Sequence, residues 1–154
     1  TPGRLCPMAL VEKSVLIERS ARQMFDLVDR VEDYPKFLPW CARSEVLEHT
    51  DASMTARLHL AYAGIRHAFT TRNEHESDHA VRVKLVDGPF SLLDGQWNFV
   101  RLGSEAQACK IEFELRYAFA SVALEAVVSP VFDRIANTFV DSFVKRAAQV
   151  YGER

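Results

Sequence analysis

Residues 129–152 read SPVFDRIANTFVDSFVKRAAQVYG. Phe132, Ile135, Ala136, Phe139, Phe143, Ala147 and Val150 recur at spacings of three and four, which draws one broad apolar stripe along a helix. Ser129 is placed to cap this helix and Pro130 to take its first position. Asp133 falls near the positive end, Lys145 and Arg146 near the negative end, and Gly152 can stop the helix. About 21 residues at 1.5 Å each give roughly 30 Å of helix. An apolar stripe of that length needs an equally long apolar surface to cover it.

The middle of the chain supplies one. From Met54 to Tyr62 the even positions are Met54, Ala56, Leu58, Leu60 and Tyr62, against Thr55, Arg57 and His59. This period of two is that of a strand with one wet face. Ile65–His75 reads as the next strand. Val81, Val83 and Leu85 alternate with Arg82 and Lys84, and Trp97 and Phe99 flank Asn98. Ile111, Phe113, Leu115, Tyr117 and Phe119 alternate with Glu112, Glu114 and Arg116. Less regular strands are expected near Leu10–Ile17 and Cys41–His49. Short polar or glycine-containing connections at 51–52, 64, 77–78 and 103–104 suit hairpins. Ser20 and Gln23 have capping-box spacing before a short helix with Met24, Phe25 and Val28 on its apolar edge. Val31–Phe37 reads as a second short helix, limited by Pro35. The class is α+β: a curved antiparallel sheet of about seven strands around a long C-terminal helix.

The bulk numbers agree with one domain. The chain has 154 residues, 48% of them hydrophobic and 26% charged, with formal net charge -2. That balance gives no global attraction to nucleic acid or to an anionic membrane. No apolar run reaches the roughly 20 residues of a membrane-spanning helix. Residues 1–8 read as a disordered leader, with Met8 as the native start and 9–152 as the domain. Cys6, Cys41 and Cys109 are odd in number and lack CxxC spacing, so a reducing, cytoplasmic setting is expected. Cys41 and Cys109 read as small apolar fillers.

Two segments stand out for function. Asp33-Tyr34-Pro35-Lys36-Phe37-Leu38-Pro39-Trp40-Cys41 is dense in aromatics and prolines. It reads as a cover over the open end of the sheet, as a packed corner, or as both. In Leu85–Trp97, Gly88-Pro89 breaks the strand and Gly95 permits a bend. Phe90, Leu92 and Leu93 are then expected in an exposed connection that folds over a ligand, a helix or a partner. His75-Glu76-Ser77-Asp78-His79 matches H-E-x-x-H, but zinc chemistry needs both histidines on one helical face, and here strands flank the motif. His59 reads as solvated, whereas His67 shares the inward parity of Ile65 and Phe69. No nucleophile elbow, phosphate loop or dinucleotide fingerprint occurs, and no acid–base pair is legible.

Three segments in order resemble the coenzyme-Q-binding START-domain family. They are Asp33 to Trp40, then Val86-Asp87-Gly88-Pro89-Phe90 with Gly95 and Trp97, and finally Phe143-Val144-Lys145-Arg146-Ala147 with Val150-Tyr151. The family, also labelled oligoketide cyclase-like, includes bacterial ribosome-association toxins and mitochondrial coenzyme-Q-binding proteins. The resemblance implies a helix-grip fold of the START/SRPBCC kind with a hydrophobic cavity. It implies first a non-catalytic protein that binds an isoprenoid quinone (ubiquinone) or similar lipid and supports respiration. The walls expected for that ligand are Tyr34, Phe37, Trp40, Leu85, Phe90, Leu93, Trp97, Phe99, Phe139 and Phe143, each of which ordinary core packing also explains. It implies second a toxin that binds the large ribosomal subunit and blocks subunit association, with candidate contacts Arg57, Arg66, Arg72, Arg82, Lys84, Lys145 and Arg146. A polyketide cyclase or dehydrase is the third reading. No transit-peptide pattern is present, so a bacterial, cytoplasmic protein is expected, with peripheral contact at the inner membrane as a further placement. No cofactor or metal is expected beyond the bound lipid.

Overall fold

A computed structural model describes residues 8–77, 79–103 and 107–152. The expected leader lies outside these residues except for Met8, as do Asp78 and Ser104 of the expected hairpins. The elements run β1 (Ala9–Ile17), α1 (Ala21–Asp29), a 3-10 turn (Val31–Lys36), β2 (Cys41–His49), β3 (Ser53–Tyr62), β4 (Ile65–Ser77), β5 (Ala80–Asp87), β6 (Phe90–Leu102), β7 (Ala108–Phe119) and α2 (Val122–Tyr151). The seven strands form one antiparallel sheet in the order β1-β7-β6-β5-β4-β3-β2. This is the curved sheet and long C-terminal helix anticipated from the alternation. No helix among the described residues is long and apolar enough to cross a membrane.

The alternation sets the inner face. Met54, Ala56, Leu58 and Leu60 on β3 are buried, as are Cys109, Ile111, Phe113, Leu115 and Tyr117 on β7. Tyr62 departs from its expected inward position. It pairs with Ile65 at the hairpin tip and is 36% exposed. The capping box forms as expected: the Gln23 backbone N–H donates to Ser20 Oγ at 3.1 Å, and the Ser20 N–H donates to Gln23 Oε1 at 2.9 Å.

Two expectations are corrected. The terminal helix starts at Val122, not Pro130, and has 30 residues, about 45 Å at 1.5 Å each. Ser121 is the cap, accepting from the Leu124 N–H at 3.1 Å, so Ser129, Pro130 and Asp133 are interior. Pro130 lacks an N–H for the Ala126 carbonyl, but both residues are exposed and water can take that bond. Fully buried Val128 continues the apolar stripe upstream of the proline.

The second correction concerns 85–97. This segment is not an apolar connection: β5 runs to Asp87, β6 begins at Phe90, and only Gly88-Pro89 links them. A register shift between Phe90 and Leu92 brings Phe90 and Leu93 onto the same buried face despite their odd spacing. Gly88 permits the tight link, with φ of +151° and a position where a Cβ would lie 2.7 Å from Phe69 Cβ.

The Gly88→Ala variant is therefore expected to lose about 2 kcal/mol or more of stability. Denaturant unfolding measures this, and an unchanged midpoint would contradict the close approach of Gly88 to Phe69.

Candidate functional site

The sheet is concave toward α2, and the space left between them is the interior site. Because side chains on a strand alternate, each central strand contributes its inward set. Leu58 comes from β3, Phe69, Thr71 and Asn73 from β4, Val83 from β5, Leu93, Gly95 and Trp97 from β6, and Phe113 and Leu115 from β7. The helix adds Phe132, Ile135, Ala136 and Phe139, one stripe at three- and four-residue spacing. Val28, Tyr34 and Trp40 close one side.

The cavity measures about 80 Å³. Ligand pockets commonly measure roughly 300–1,000 Å³. Even an apolar cavity that takes benzene is larger, about 150 Å³. Rings fill most of the interior. Trp97 lies 5.7 Å from Phe139 and 4.5 Å from Phe113, and Trp40 stacks on Phe69 at 6.4 Å, all between ring centroids. A quinone head group enters only if some of these rings move.

Of the residues expected at the wall, Tyr34, Trp40, Leu93, Trp97 and Phe139 border the cavity. The others do not. Phe143 is fully buried behind Phe139, and Phe99 is held between Trp97 and Phe25. Phe90 packs behind the wall against Phe69, Phe119 and Phe132. Leu85 is half-buried on β5. Phe37 lies under the Arg146 guanidinium in a surface groove. Phe69, Thr71 and Asn73 also border the cavity; they share one strand parity, so the alternation marks them as an inward row although they are not among the expected walls.

The cavity is chemically quiet. Its wall carries no carboxylate, imidazole, amine or thiol. Thr71 Oγ1 donates to Asn73 Oδ1 at 3.1 Å. The Tyr34 hydroxyl donates to the Val28 carbonyl at 2.5 Å, tying the 3-10 turn to α1. Burial, with help from the Asp29 charge, pushes the Tyr34 pKa upward, so this phenol stays protonated. An acid–base pair therefore cannot be assembled from the wall. Burial pushes the Cys41 and Cys109 thiols up to about 11, which agrees with their reading as fillers. His75 sits at the end of β4, with Nε2 2.8 Å from Asp29 Oδ1. The helical spacing that H-E-x-x-H chemistry requires is thus not formed. His59 is bonded to Glu45 at 2.6 Å rather than fully solvated.

Three contacts fix α2. The buried Arg19 guanidinium donates to the carbonyls of Tyr151 and Gly152 at the negative end of the helix. The Tyr151 hydroxyl donates to the Gln23 carbonyl at 3.0 Å. The Tyr117 hydroxyl donates to Asp133, whose other oxygen accepts from Ser129 Oγ at 3.3 Å.

An antiparallel sheet gripping a helix around an apolar cavity points to one group of proteins, and sequence comparison agrees. Residues 17–144 match the family described as polyketide cyclase/dehydrase and lipid transport. The chain belongs to that family. Among its relatives, the ribosome association toxin RatA of Pseudomonas aeruginosa is 42% identical over 142 residues, covering 92% of this chain and 97% of the relative. The mitochondrial coenzyme Q-binding protein COQ10 homolog B of Xenopus laevis is 28% identical over 144 residues, covering 92% of this chain and 59% of that protein. A START superfamily protein from Mycobacterium smegmatis shares the fold with a TM-score of 0.76 at 18% identity, covering 92% of this chain and 98% of that one. The Zhui aromatase/cyclase from a Streptomyces species does so with a TM-score of 0.75 at 18% identity, covering 96% and 100%. At this identity both structures speak for the fold alone.

Phe139 meets Tyr34, Trp40, Trp97, Phe113 and Phe143 with centroid distances of 5.1–6.5 Å. Phe139 is half-buried, and Phe139→Ala is expected to cost about 2 kcal/mol and to enlarge the cavity enough to admit benzene. Unfolding with and without benzene tests both points; a variant as stable as the parent would contradict this packing. In a Cys6→Ser background, iodoacetamide at pH 8 should leave Cys41 and Cys109 unlabelled until the chain unfolds, since roughly one thiol in a thousand is ionised at that pH. Labelling of the native protein at the rate of free cysteine would overturn the buried, neutral assignment.

Proposed function

We propose that this protein acts by associating with the ribosome through its outer surface, as a toxin of the RatA kind that binds the large subunit and blocks subunit joining. The observation that carries this reading is the 42% identity to RatA over nearly the full length of both chains. The filled interior supports it, because a cavity of about 80 Å³ offers little room for a cargo without rearrangement. The absence of any titratable group but Tyr34 from the wall supports a non-catalytic role.

Binding of an isoprenoid quinone is the second reading. It draws support from the almost wholly apolar wall with Thr71 and Asn73 as its polar contribution, and from the more distant coenzyme Q-binding relative. In that case the site opens by displacement of Phe139 and its neighbours as α2 shifts.

Cosedimentation with purified ribosomal subunits at about 50 and 200 mM salt separates the two readings. The protein is expected to pellet with the large subunit and less so at the higher salt. Failure to pellet at either salt, together with a quinone recovered by organic extraction and native mass spectrometry, would replace the first reading with the second.

A further inference from the structure

The two outer segments of the family resemblance lie about 100 residues apart in the chain, and the fold brings them together. Pro35–Pro39 and the C-terminal half of α2 form the two walls of an open surface groove of about 480 Å³. Three of its lining side chains are cations, Lys36, Lys145 and Arg146, and none is a carboxylate. This is notable in a chain of net charge -2.

The outer face of the sheet has a different character. Many of its cations meet carboxylates: Arg43 with Glu45 at 3.0 Å, Arg82 with Asp94 at 3.0 Å, and Arg116 with Glu114 at 2.7 Å, whereas Arg57 donates to Thr70 Oγ1 at 3.3 Å. Arg72 and Lys84 share Glu74 at 3.8 and 3.6 Å, and Lys110 meets Glu112 at 3.7 Å. A phosphate approaching that face meets about as much negative charge as positive.

In the groove, Lys36 meets Asp33 at 3.1 Å, and Asp133 and the other helix carboxylates do not line it. Lys145 is exposed. The Arg146 guanidinium lies over the Phe37 ring, 5.2 Å from its centroid, and Arg146 Nη1 donates to Gln149 Oε1 at 3.3 Å. Phe37 is held from below by Phe143 at 5.1 Å and Tyr34 at 5.9 Å. Pro35 and Pro39 stiffen this wall. A fixed stack of ring and guanidinium beside the exposed ammonium of Lys145, with Lys36 and its Asp33 partner at the opposite wall, matches single-stranded RNA, whose unpaired bases stack on aromatic and Arg planes while cations take the phosphates. A flat anionic membrane does not enter a groove of this kind. The most exposed large apolar side chains, Leu16, Met8, Val86 and Val122, lie outside it.

We infer that this groove binds single-stranded RNA. Lys36, Lys145 and Arg146 take phosphates, and the Phe37–Arg146 stack supports a base. The inference deepens the ribosome reading and rests on it for its setting, the RNA being an unpaired segment of the large subunit.

The test compares the full chain with Lys145→Ala/Arg146→Ala and with Lys110→Ala/Arg116→Ala, which removes the same charge from the outer sheet face. Each is assayed for anisotropy with a labelled single-stranded RNA, cosedimentation with large subunits, and flotation with phosphatidylserine vesicles. Thermal unfolding checks that both variants fold. The groove variant is expected to lose about tenfold or more in RNA and subunit binding, and the control to stay within about twofold. The parent is expected to show a log–log salt slope near -2, about 0.7 for each of three phosphates. Equal RNA binding by parent and groove variant overturns the groove, as does vesicle flotation without RNA binding. Subunit binding that survives in the groove variant overturns the groove and leaves the ribosome reading standing. RNA binding through the groove with no pelleting on subunits supports the groove and overturns that reading.

Discussion

Burial of the aromatic stripe of α2 against the concave face of the sheet is the contact on which the rest of the structure depends. Phe139 and Phe143 reach Trp97 at 5.7 and 5.4 Å between ring centroids, and Trp97 in turn meets Phe113 at 4.5 Å. Aromatic side chains bury the most area per residue and add edge-to-face attraction to it. A helix of 30 residues cannot cover that stripe by itself, and a one-sided antiparallel sheet cannot cover its own inner face. Each completes the other. The curvature of the sheet follows the helix it wraps.

Other contacts keep that arrangement in register. Arg19 takes the last helix carbonyls from the end of β1, and Tyr151 reaches α1. Tyr117 and Ser129 hold Asp133 near the middle of α2, where burial and the bond to this carboxylate both raise the Tyr117 pKa. The helix is thus tied at its C-terminal end and in its middle. Its first two turns make fewer buried contacts, with Val122 and Val127 more than half exposed.

Rings fill most of the interior and leave a cavity of about 80 Å³. The outer surface is uneven in charge: ion pairs lie across the sheet, and the groove beside α2 is lined by Lys36, which meets Asp33, and by Lys145 and Arg146. Electrostatic complementarity depends on such local imbalance more than on the net charge of the chain.

The fold class is legible in local patterns of the chain. Alternation in 54–62 and 111–119 dictates one-sided strands, the 3.6-residue stripe of 132–147 dictates a covering helix, and Ser20 and Gln23 dictate the start of α1. These are local regularities, and periodicity records them directly. Ser129-Pro130 carries a strong local cap signal that hides the true start of α2, while the burial of Val128 that extends the helix is a long-range fact. The 90–93 segment does not look like a strand in sequence because one register shift moves Phe90 and Leu93 to the same face, and a bulge leaves no periodic trace. Which inward rings border the cavity, and how little space they leave, depends on how side chains from five strands and two helices interdigitate. The meeting of Phe37 with Arg146 is of the same kind. Such features emerge only on folding, because they depend on distances between segments far apart in the chain.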